Sequence, residues 1–271
     1  MNETQWRMAC FAGVLVAMAL LEWLAPRKRR VAPRAGRWAA HLALVAINTV
    51  AARLLIPLSA VEVADWAAAH SWGLLNRVQW PVWAEFAVAL VLLDLAIYGQ
   101  HVLFHHVPWL WRLHKVHHAD LDLDVTSGIR FHTLEILLSA LFKLGLVVVL
   151  GPTGMAVMGF EIVLNAGSLW SHSNVRVPLG LDRWLRLILV TPDMHRVHHS
   201  VLVDETNSNY GFQLPWWDYL FGTYQAQPQA GHEEMVIGLN SPRDEKEVIG
   251  LPGLLAMPFR REAQASEAVS P

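Results

Sequence analysis

Eleven of the fourteen histidines in this chain fall between His101 and His199. Their spacing says more than their number. His101 and His105 are four apart, His114, His117 and His118 form an H-x-x-H-H group, and His195, His198 and His199 repeat that group. Positions i, i+3 and i+4 of a helix lie on one face, so each triplet can bring three imidazoles to one metal region. Neutral imidazole suits iron, zinc, copper and nickel alike. Eight such ligands exceed the four of a closed structural zinc site and suit two metals that each keep room for oxygen or water.

The other histidines are read against this pattern. His41, His70 and His232 stand alone and read as core or surface residues. His106 adjoins His105 but points about 100° away on a helix. His132, between Arg130 and Glu135, and His172, in Ser171-His172-Ser173-Asn174, flank an apolar hairpin that returns both to the cluster. Asp94, Tyr98, His101 and His105 share a helical face, being four, three and four apart. Asp94 can therefore accept a hydrogen bond from a ligand imidazole and fix its tautomer, or serve only as an interhelical contact. Asp193 and Asp218 carry the same two readings. Glu161 and Asn165 read either as helix–helix glue or as lining of a substrate path.

The elements that must position these groups belong to a membrane. Apolar residues make up 54% of the 271 and charged residues 16%, against roughly 45–50% and about 25% in soluble domains. A net charge of -2 and the lack of a basic, aromatic-laced stripe exclude a nucleic-acid partner. The lone Cys10 reports nothing about redox compartment. Met8 to Leu24 is nearly the ~20 residues that a span requires. Six basic residues follow it between Arg27 and Arg37, an order opposite to that of a cleavable signal peptide, and the positive-inside rule puts that loop in the cytosol. A second span covers about Trp38 to Leu58. Residues 61–81, with Trp66, Trp72 and Trp80, read as interfacial, and a third span runs from Val82 towards His101. Leu134 to Leu150 and Thr153 to Trp170, separated by Gly151-Pro152, form a helical hairpin. Asp182 to Val190 reads as a helix lying in the interface, and the tail beyond Pro258 as disordered.

His101-x-x-x-His105, His114-x-x-His117-His118, Arg130-Phe131-His132, His172-Ser173-Asn174, Thr191-Pro192-x-x-His195-x-x-His198-His199, Asn209-Tyr210-Gly211 and Trp217-Asp218-Tyr219-Leu220-Phe221-Gly222-Thr223 together resemble the sterol desaturase and fatty acid hydroxylase superfamily. The motifs cover about Asp94 to Tyr224, nearly half the chain. The resemblance implies a membrane-bound di-iron oxygenase with a cytosolic histidine cap, which uses O2 to hydroxylate or desaturate a lipid. It implies that His172 is a ligand and that His132 is a ligand or supports one. Asn174, Asp94, Tyr98 and Asp193 join His132 as residues at or next to the metals. In relatives with the fatty acid hydroxylase pattern a further histidine follows the post-hairpin one by four, and Arg176 stands there in this sequence.

The expected protein is all-α, with four or five spans in a compact bundle. Residues 1–81 would form the first spans and an interfacial segment, 82–224 the hydroxylase or desaturase domain with its histidine cap, and 225–271 a cytosolic tail. The nine expected metal ligands are His101, His105, His114, His117, His118, His172, His195, His198 and His199. Two irons are the expected cofactor, with zinc able to occupy such ligands in purified samples. Lipid, O2 and a separate electron-donor protein are the expected partners, and a bacterial cytoplasmic membrane the expected location. A zinc-dependent lipid hydrolase and a metal or proton transporter are the alternatives. The hydrolase lacks a His-Glu-x-x-His signature, and a transporter would hold its ionisable groups near the midplane.

Overall fold

The computed structural model describes residues 3–260, and all of their regular structure is helical. The long elements are α1 (Glu3–Leu24), α2 (Arg34–Leu55), α3 (Ala60–Ala69), α4 (Val82–His106), α5 (Pro108–His118), α6 (Thr133–Leu150) and α7 (Gly154–Ser171). Short helices follow: α8 (Leu179–Leu185), α9 (Pro192–His198), α10 (Val203–Thr206), α11 (Trp216–Phe221), α12 (Gly231–Glu234), α13 (Glu245–Val248) and α14 (Leu251–Ala256). The stretches Glu3–Leu24, Arg34–Ala69, Val82–His106 and Thr133–Leu150 are each long and apolar enough to cross a membrane. Helices are what lipid demands, because each backbone polar group must be satisfied within the segment. The chain is thus a multi-pass membrane protein.

The expected hairpin is α6 and α7. Gly151 closes α6 in the left-handed region at φ 66°, where glycine is favoured, and the Thr153 side chain caps α7 by accepting from Ala156 N–H. The segment read as interfacial is ordered around the hairpin tip. Its helix α3 packs on α6 and α7 through Val63, Ala64, Val147 and Val157. Helix α7 also packs along α1 and α4, so the hairpin carries His132 and His172 back to the same end of the bundle.

At that end the loop between α5 and α6 is fastened to α2 by buried charges. Arg37 Nε and Nη1 bind Asp120 and Asp124 at 2.7 and 2.6 Å, and Arg130 Nη1 adds a 3.1 Å contact to Asp120. Burial alone would raise the Asp120 carboxyl, but Arg37 and Arg130 hold it far below the usual range. His41 is built into this network, with Nδ1 at 2.9 Å from Thr126 Oγ1. Beyond Tyr224 the chain stays packed. Met235 and Ile237 are buried with Leu123, and Val248, Leu254 and Met257 sit in a core with Leu44 and Val116. The tail read as disordered lies, from residue 261 on, outside the described residues. Along α8 and on to Val190, the exposed Leu181, Trp184, Leu187 and Ile188 match an interfacial segment, while Asp182 and Arg186 pair on its buried side at 2.5 Å.

Candidate metal centre

All nine histidines expected as ligands gather into two groups. His101, His105, His114, His118 and His198 form one, and His117, His172, His195 and His199 the other, each with one nitrogen per residue within 4.8 Å of the rest. The expectation that each triplet serves one metal region does not hold. His114 and His118 join one group and His117 the other; His195 and His199 join one and His198 the other. Helical geometry supplies the reason. At about 100° per residue, i and i+4 differ by roughly 40°, whereas i+3 points roughly 100° away from i+4. Each H-x-x-H-H motif therefore offers two rings to one site and one ring to its neighbour.

The tautomers are set from behind. The Nδ1 of His101 lies 2.8 Å from the Tyr210 carbonyl, that of His198 2.7 Å from the Ser208 carbonyl, and that of His172 2.7 Å from the Ser168 carbonyl. A carbonyl only accepts, so each Nδ1 carries the proton and each Nε2 a lone pair. His114 Nδ1 lies 2.6 Å from Glu135 Oε1, and an ionised Glu135, which only accepts, gives the same result. These Nε2 atoms face one another: His101 to His198 at 3.1 Å, His101 to His114 at 3.2 Å and His172 to His195 at 3.0 Å. Burial pushes His114 and His172 down to about 3, and drives His117, His118, His195, His198 and His199 well below the ordinary histidine range. The converging lone pairs of the first group form a donor set that a cation would fit. An ion about 2.1 Å from each ring nitrogen sets neighbouring nitrogens roughly 3.0–3.4 Å apart, which these spacings match. Both nitrogens of His118 are buried without a hydrogen-bond partner, a further mark of a donor set built for metal.

The five supporting candidates are placed differently. His132 caps α6: its Nδ1 accepts from Leu134 N–H and its Nε2 is 3.3 Å from the Leu255 carbonyl, outside both groups. Asp94 reaches no imidazole. It accepts from Gln213 N, Leu214 N and Trp217 Nε1 at 3.2, 3.2 and 2.8 Å. Tyr98 OH meets Thr223 Oγ1 at 3.0 Å. Asn174 ties itself to the Lys28 backbone, and Asp193 binds Arg27 at 2.9 Å with Arg196 and His232 nearby. These residues fix the segments that carry ligands. Asp218 does so most directly, accepting from Tyr210 N and Gly211 N at 2.8 Å each, so the carbonyl that orients His101 is itself held. His106 turns aside, as expected, to Tyr210 OH at 3.1 Å. Arg176 reaches Glu233 at 3.0 Å.

Sequence reasoning missed Glu135, named only as a flank of His132. Its place in the first turn of α6, beside the motif carrying His132, was the available signal. It also missed Phe131, whose ring stacks on His117 at 4.4 Å between centroids, and Gly128, where a Cβ would come within 2.6 Å of the Ser168 carbonyl that orients His172. A cavity of about 570 Å³ opens from His101, His114 and Glu135 between α2, α4, α6 and α7, walled near the rings by Phe104, Phe131, Ile136 and Phe212.

The fatty acid hydroxylase family profile matches residues 86–223. The ornithine lipid hydroxylase OlsE of Rhizobium tropici is 30% identical over 272 residues, covering 96% of this chain and 77% of its own length. Human alkylglycerol monooxygenase is 33% identical over 155 residues, 57% of this chain and 33% of that protein. Rat cholesterol 25-hydroxylase is 28% identical over 149 residues, 53% and 47% of the two chains. This chain thus spans three quarters of the first of these relatives and less than half of the other two. No solved structure matches it.

Proposed function

The chain belongs to the fatty acid hydroxylase family and is a membrane oxidoreductase that oxygenates lipid, and on that premise we propose that its two histidine groups hold two irons for hydroxylating a membrane lipid. Hydroxylation is favoured over desaturation because the relatives aligned with it are hydroxylases and monooxygenases. The observation that carries the metal assignment is the meeting of Nε2 lone pairs whose tautomers are locked by backbone carbonyls.

Bound iron would supply the reduction of O2 and the oxidation of an unactivated C–H bond, with electrons from a separate donor protein. The protein's own part is position and exclusion. The Tyr210, Ser208 and Ser168 carbonyls and Glu135 aim the rings, and the phenylalanine-walled cavity keeps water from the end where carbon would meet the centre. The basic loop 27–37 supports a cap on the cytosolic side, here of a bacterial cytoplasmic membrane. Residues 82–224 would carry the chemistry, flanked by the spans of 1–81 and the packed segment after 224.

The test compares lipid extracts from cells expressing the wild type and His198→Ala by mass spectrometry. A lipid class that gains one oxygen with the wild type and not with the variant is expected. Identical lipid spectra under iron-replete, aerated growth would refute the proposal.

A further inference from the structure

The cavity that begins at His101 and His114 is also lined by Lys143 and Arg53. Lys143 lies eight residues beyond Glu135 on α6, about 12 Å further into the bundle at 1.5 Å per residue. Arg53 sits near the middle of the 36-residue apolar stretch Arg34–Ala69. Its neighbours Val50 and Leu54 are 57% and 76% exposed, so it stands among side chains that face lipid. Lys143 is paired with Glu161, Glu161 also with Arg7, and Arg7 with Glu3. Arg53 is itself exposed and, among the described residues, has no hydrogen bond or ion pair. A guanidinium inside a membrane span ordinarily faces a partner or a ligand. Here the surface it helps to line leads to the metal centre.

We propose that Arg53 holds the anionic group of the lipid substrate, a carboxylate or a phosphate, while the attached hydrocarbon runs along the cavity to His101 and His114. This rests on the lipid-oxygenase reading and adds a substrate class to it: an anionic amphiphile whose hydrocarbon reaches the centre along the cavity. An arginine that merely reaches for the membrane surface would show no preference for ligand charge.

The experiment measures binding of oleate and of oleyl alcohol, which share a chain and differ in charge, to the purified full chain in neutral detergent micelles. A charge-assisted hydrogen bond predicts that the wild type binds oleate about tenfold or more tightly than the alcohol. Arg53→Gln should bring oleate to the affinity of the alcohol and leave alcohol binding within about twofold. Thr49→Asp, which puts a carboxylate one turn before Arg53 on α2, should remove the preference by pairing the guanidinium internally, and it serves if Arg53→Gln does not insert. Equal affinities in the wild type, or an oleate preference that survives either substitution, would overturn the proposal. Failure of the function reading looks different: a charge preference lost in Arg53→Gln, with no oxygenated lipid formed by the wild type in cells.

Discussion

Glu135 offers the sharpest test of how the centre is assembled. Four of the clustered imidazoles have Nδ1 held in place: three by backbone carbonyls that no substitution removes, and that of His114 by the Glu135 carboxyl at 2.6 Å. Glu135→Ala frees His114 to rotate or to move its proton to Nε2, the nitrogen that faces His101 at 3.2 Å. Loss of such a supporting partner typically lowers metal affinity 10–100-fold, about 1.4–2.8 kcal/mol. Glu135→Gln keeps an accepting oxygen and should fall at or below the lower end. The assay is metal retained against a graded chelator, measured by elemental analysis of the purified protein. Lipid oxidation alone does not suffice, because Glu135 also lines the cavity. The ion lost first should be that of the five-histidine group. Wild-type retention of both metals in Glu135→Ala would refute the claim that this carboxylate sets the His114 tautomer. Equal losses in Glu135→Ala and Glu135→Gln would show that charge, not acceptance by the carboxyl oxygen, is what matters.

Three further outcomes are expected. Protein purified without chelators from iron-replete cells should hold close to two metals per chain, and His198→Ala and His199→Ala, which fall in different groups, should each leave about one; a single metal in the wild type would refute the dinuclear reading. Arg37→Met leaves the fully buried carboxylates of Asp120 and Asp124 short of a partner and should cost roughly 3–5 kcal/mol of stability, seen as a lowered unfolding temperature in detergent; a change below about 1 kcal/mol would show that Arg130 suffices. Cysteines at the exposed Asp204 and Ser241 should be labelled from one side of the membrane and a cysteine at the exposed Ser71, by the hairpin tip, from the other; labelling of all three from one side would break the assigned topology.

The clustering of the histidines was legible in the order of the residues. Imidazoles at i, i+3 and i+4 declare a shared helical surface whatever the tertiary context, and apolar stretches of span length declare a membrane because hydrocarbon leaves a chain few other conformations. The Gly151-Pro152 break likewise fixed the hairpin, since neither residue continues a helix well. The supporting residues were less legible. Asp94 has the right face and spacing to hold an imidazole, yet it spends its oxygens on Gln213, Leu214 and Trp217, partners more than a hundred residues away that no local period announces. His41 and His232 read as bystanders, and the structure buries the first in the Arg37–Asp120 network and sets the second 3.7 Å from Asp193.

By itself, then, the sequence determined that this is a helical membrane protein with eight histidines at the spacing of metal ligands, because periodicity and hydropathy act over a few residues at a time. Only the tertiary structure decided that each H-x-x-H-H motif is shared between two sites, that backbone carbonyls and Glu135 choose which nitrogen faces inward, and that one cavity joins Arg53 to the centre. Those choices depend on how α5 and α9 are rotated against α4 and α7, and rotation is set by packing between elements far apart in the chain.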